Sequence, residues 1–69
     1  MKFSDFIKKT GFGPTYVCHS LLYRPDSRPA LIADSLNYKP TKKELMDMRQ
    51  LISGKKDLAT LFPELKKAS

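Results

Sequence analysis

Apolar residues return along this chain at helical intervals, in short stretches broken by glycine, proline and other turn formers. Phe3, Phe6 and Ile7 make the first apolar face and predict a helix over residues 3–10, with Ser4 or Asp5 as its cap. Lys8 and Lys9 fall outside that face near the helix end, where cations complement the helix dipole. They read either as a solvated helix end or as phosphate contacts. Gly11 and Gly13 then permit a tight turn, with Phe12 expected to pack beneath it. Pro14 suits the first position of a second helix, over residues 14–22, because its fixed φ is helical and its missing N–H would be unpaired there anyway. Val17 and Leu21 should face the core, leaving Thr15, Tyr16, Cys18 and His19 on or near the outer face.

Pro25 and Pro29 exclude helix from the loop that follows. A third helix is predicted from Pro29 to about Asn37, with Ser27 or Arg28 near its cap and Ala30, Leu31, Ala33 and Leu36 as its apolar face. Asn37 can take the left-handed conformation that closes a helix, and Pro40 blocks continuation. Thr41-Lys42-Lys43-Glu44 is a capping box, in which Thr41 accepts from the N–H three residues on and Glu44 reaches back. The helix it opens carries Leu45, Met48, Leu51 and Ile52 on one face and stops at Gly54, while Met46 lies off that stripe. In residues 57–69, Leu58, Leu61, Phe62 and Leu65 keep helical spacing around Pro63, which marks either a helix start or a break between two short turns. This segment either closes the core or forms a dimer element, and residues 66–69 are expected to fray. The pattern predicts one all-α domain over residues 1–69, a small bundle of four or five short helices.

Composition narrows the function. A single cysteine excludes an intrachain disulfide, and one Cys with one His cannot complete a zinc set, so no metal and no cofactor is expected. No apolar run could span a bilayer and the N-terminal residues lack a signal-peptide core, so the expected location is the cytoplasm. Catalysis is not expected. Cys18 and His19 are neighbours on a helix and point about 100° apart, and the seven carboxylates are scattered without a productive pair. The net charge of +6 instead suggests a polyanionic partner. It is spread along the chain: residues 1–37 carry five Lys/Arg against three acids, and residues 38–69 carry eight against four.

The order helix, Gly-containing turn, helix over residues 3–22 is the sequence form of a helix-turn-helix. Such a unit needs a first helix that buries one face, a tight turn, and a second helix anchored by a buried residue while its N-terminal side chains enter the major groove. Gly11 supplies the turn, Phe12 an apolar plug and Val17 the anchor. Thr15, Cys18 and His19 then face the groove, where Thr and His can hydrogen-bond base edges. Tyr16 suits the DNA backbone, Lys8 and Lys9 lie beside it, and Arg24 and Arg28 could clamp phosphates. A second placement, residues 32–37 followed by the capped helix, puts Lys43 where a buried apolar residue is needed. It is the weaker of the two and would bring in Lys42, Lys43 and Arg49. RNA binding has little support, because Tyr16, Tyr23 and Tyr38 are too far apart in sequence for a recognisable stacking platform.

The segment from Gly11 to Val17, followed by Arg28-Pro29-Ala30-Leu31-Ile32-Ala33-Asp34-Ser35-Leu36, resembles the helix-turn-helix core of the phage repressor and Cro-like family, including the Ner-like phage regulators. In that family a turn of the form Gly-apolar-Ser/Ala-Pro-Ser/Thr leads into the recognition helix, and a Pro-containing loop leads into a helix of the form Ile-Ala-x-x-Leu. The likeness covers residues 3–37, about half the chain, and makes residues 38–69 the C-terminal helices. It departs at Ile7, where the family has a small residue, at Ser20, where it has an apolar one, and in lacking a helix before the motif. The resemblance implies base reading by Thr15, Cys18 and His19, and backbone contact by Tyr16, Arg24 and Arg28. The expected function is a sequence-specific transcription regulator, a repressor of phage or mobile-element type, binding double-stranded DNA as a homodimer. The alternative is a small adaptor or inhibitor that binds another protein through Met46 and the Leu58, Leu61, Phe62 and Leu65 cluster.

Overall fold

In the computed structural model, which describes residues 1–63 and Leu65, five helices follow one another: α1 (Phe3–Thr10), α2 (Pro14–Tyr23), α3 (Arg28–Ser35), α4 (Lys42–Ser53) and α5 (Leu58–Leu61). There is no strand among the described residues. The architecture is the all-α bundle that the apolar periodicity predicts. α2 lies at its centre, packed on both α3 and α4, while α1 packs on α3 and α5 on α4. One contiguous core joins Phe3, Phe6, Ile7, Val17, Cys18, Ala33, Tyr38, Met48, Phe62 and Leu65.

The turn before α2 is built by a backbone and side-chain clasp. Gly11 takes a left-handed φ of 75° as its N–H donates to the Ile7 carbonyl. The Thr10 hydroxyl donates to that same carbonyl at 2.8 Å and accepts from the Phe12 N–H at 3.2 Å. Phe12 is thereby held at the surface, 36% exposed, with its ring edge-on to Tyr16. The expected plug beneath the turn is therefore absent from the core. Val17 provides the anchor as predicted, and Leu21 packs half-buried against it.

α1 is capped neither by Ser4, which is buried, nor by Asp5. Its Phe3 N–H donates instead to Glu44 Oε2 at 3.2 Å, across 41 residues of chain. The other carboxylate oxygen of Glu44 accepts from the Thr41 N–H at 2.9 Å and from the Tyr38 hydroxyl at 3.1 Å. Thr41 Oγ1 accepts in turn from the Glu44 N–H at 3.1 Å, which completes the predicted capping box. One carboxylate thus ties together the starts of α1 and α4. Tyr38 is buried, its ring stacked on Phe6 at 4.6 Å. Burial first, and then the neighbouring Glu44 charge, holds its phenol well above the ordinary value.

Three expectations about the remaining elements are corrected. α3 ends at Ser35, and although Asn37 does adopt the left-handed conformation (φ 57°), Leu31 and Leu36 are exposed; Pro29, Ala30 and Ala33 form the inner face. Small residues let α3 sit close to α2, and that leaves the larger Leu31 outside. α2 runs one residue further than predicted, to Tyr23. In the C-terminal segment, α5 is only four residues long, capped by Asp57, and Phe62 and Leu65 turn into the core. Phe62 lies 5.0 Å from the Phe3 ring. Phe62 and Leu65 therefore close the core. The expected fraying of residues 66–69 lies outside the described residues.

Candidate nucleic-acid interface

α2 carries no Asp, Glu, Lys or Arg, and its two sides differ sharply. Val17, Cys18 and Ser20 are buried, with Cys18 fully enclosed. Thr15, Tyr16, His19 and Tyr23 are exposed. Of the three side chains expected to read bases, Thr15 and His19 face outward, and Cys18 does not. The reason is rotational. Packing α2 on two helices needs a wide inner face, and position 18 lies next to the Val17 anchor on that face. Burial raises the Cys18 thiol to about 12, so it remains a neutral core side chain. Ser20 Oγ is also buried and lacks a hydrogen-bond partner. Ser20 thus occupies an interior position, the environment in which an apolar residue would fit.

Tyr16 is 48% exposed, and Lys8, Lys9, Arg24 and Arg28 are all exposed. None of these four cations forms an ion pair within the described residues. Lys8 and Lys9 end α1 just before the turn into α2, and Arg24 follows α2 directly. Arg28 is the first residue of α3. The loop between α2 and α3 is fixed by the Arg24 carbonyl, which accepts from both the Ser27 N–H at 3.1 Å and the Ser27 hydroxyl at 2.7 Å. Cations therefore stand beside both ends of α2 on ordered backbone. Lys42, Lys43 and Arg49, the cations of the alternative placement, are also exposed, on α4.

Sequence spacing sets Tyr23 aside as too far from Tyr16 to share a platform, but the two lie on one outer side of α2. Tyr23 is 58% exposed, and its ring lies 5.4 Å from that of His19. Phe12 and Tyr16 make a similar pair at 5.3 Å. Tyr16, His19 and Tyr23 follow the intervals three and four, a single stripe of α2, and Phe12, in the turn before the helix, sets its ring against Tyr16. The spacing is present in the sequence, but the expected packing of Phe12 beneath the turn and a helix ending at residue 22 hide it. Tyr38, by contrast, is withdrawn from any surface by its stacking on Phe6.

Among the described residues, no three His, Cys, Asp or Glu side chains are grouped to hold a metal ion, and no helix is long and apolar enough to cross a membrane. No protein-family model, no curated protein and no solved structure matches the chain.

Proposed function

We propose that this chain is a sequence-specific DNA-binding regulator that engages duplex DNA through α2 and acts in the cytoplasm as a homodimer. One observation carries the reading. α2 is seated in the core by Val17, Cys18 and Ser20 while its opposite side offers Thr15, Tyr16 and His19 to solvent, between Lys8 and Lys9 at one end and Arg24 and Arg28 at the other. A rigidly backed helix with hydrogen-bonding side chains near its start is what the major groove admits. Thr15 and His19 are the base readers in this reading, and Tyr16 and the four cations contact the backbone. The likeness of residues 3–37 to the phage repressor and Cro-like family supports the same assignment.

The test is binding of the purified chain to random-sequence duplex DNA at low and moderate salt, with sizing in parallel. Salt-sensitive binding by a dimer is expected. Arg28→Ala should weaken binding to every sequence and lower the salt slope by about 0.9 if it contacts one phosphate. His19→Ala should chiefly change sequence preference, by about 1–3 kcal/mol at the base it reads. Equal losses on specific and random DNA for both variants would defeat the assignment of roles, and no binding at low salt would defeat the reading itself.

The second reading is an adaptor that binds another protein. One observation favours it: Met46 stands 59% exposed on α4. Its other argument is weakened, because Phe62 and Leu65 are buried in the core.

A further inference from the structure

The exposed rings of α2 and of the turn before it ask for more than a groove-reading helix needs. Phe12, Tyr16, His19 and Tyr23 form two ring pairs, inclined at 64° and 59°, along one outward stripe. Inclined pairing sets an edge of one ring against a face of the other and leaves the opposite face of that ring uncovered by its partner. From Tyr16 to Tyr23 the stripe runs about two helical turns, or roughly 10 Å. Burying so much aromatic surface would stabilise the chain, yet it remains outside the core.

We propose that this stripe binds unpaired bases, so that the protein holds single-stranded DNA. Charge complementarity selects this occupant. A single strand brings flat π faces together with a phosphate at every step, and stacking platforms flanked by cations suit both. Along the chain the rings are flanked by exposed Lys8 and Lys9 before α2 and exposed Arg24 and Arg28 after it, and α2 itself contains no carboxylate to repel phosphate. A second copy of the chain would bring another net charge of +6 to a face already bordered by cations. The inference extends the proposed DNA-binding face to a second form of DNA, and each form can be tested without the other.

The experiment measures binding of the full chain to a labelled mixed-sequence single strand and to the same sequence as a duplex, by fluorescence anisotropy at low and moderate salt. Tyr16→Ala, Tyr23→Ala and Tyr16→Phe are compared, with helical circular dichroism to verify folding. All three changes are at exposed positions. Each alanine should weaken single-strand binding by roughly 5- to 150-fold, the worth of one stacked base. Tyr16→Phe keeps the ring and should retain binding to the single strand. Duplex binding without single-strand binding overturns this inference and leaves the regulator reading standing. Single-strand binding alone overturns the regulator reading and supports the inference. Single-strand binding that both alanine variants leave unchanged is purely electrostatic and overturns the inference. Self-association lost in Tyr16→Ala, with no DNA bound, assigns the stripe to a second copy and overturns it too.

Discussion

Cys18 and Ser20 lie on the inner side of α2, and each is a polar or reactive group that the core has made inert. The consequence for Cys18 can be measured. Burial raises its thiol from 9.0 to about 12. As pH rises, the unfolded chain loses this proton before the folded one does. The stability contributed by the neutral thiol is therefore complete below about pH 9 and is lost as pH climbs towards about 12. Urea midpoints measured across that window should fall with pH, and Cys18→Ala should flatten the decline. An unchanged slope in the variant would mean that the thiol meets solvent in the fold. The same burial removes Cys18 from the set of base readers. Thr15, three residues before it, and His19, the next residue, escape because their positions rotate onto the outer face.

Among the elements, α4 is held most explicitly, because Glu44 serves both its own capping box and the first turn of α1. Replacing Thr41 by alanine removes one cap interaction and should cost about 1 kcal/mol. Glu44→Ala also strands the Phe3 N–H and the Tyr38 hydroxyl and should cost about 2–3 kcal/mol. Equal losses in urea denaturation would show that the carboxylate does no more than cap its own helix. The Thr41 and Glu44 box, the Gly54 stop and the left-handed Asn37 were legible in the sequence because each is a local agreement between neighbours. The link from Glu44 to Phe3 was not, since nothing local records a partner 41 residues away. Phe12 is held out by the Thr10 turn clasp, and Leu31 and Leu36 differ from expectation for a reason of packing. Periodicity identifies apolar positions, but the size of the facing neighbour decides which of them are enclosed. At the candidate site, the exposure of Thr15, Tyr16 and His19 was readable from helical rotation, whereas the burial of Cys18 required knowing that α2 packs on two helices.

At the scale of the whole molecule, a chain of 69 residues has little stability to spare. Its core is closed at the end of the sequence by Phe62, which packs on Phe3 near the start. A Phe→Ala change in a core costs about 3–5 kcal/mol, close to the total stability of about 3–5 kcal/mol that one small core supplies. Phe62→Ala should therefore leave the chain largely unfolded at room temperature, with helical circular dichroism sharply reduced. Retention of full helicity would show that the C-terminal segment is dispensable.

The central position of α2 has a further consequence, for heredity more than for mechanics. A ten-residue helix that is core on one side and, in the function proposed above, contact surface on the other would have almost no neutral positions. A change inside can rotate the surface, and in that role a change outside would be met directly by DNA. A genetic screen for lost binding would therefore collect interior substitutions beside exterior ones. The two kinds would be told apart by abundance in the cell, not by their place in the sequence.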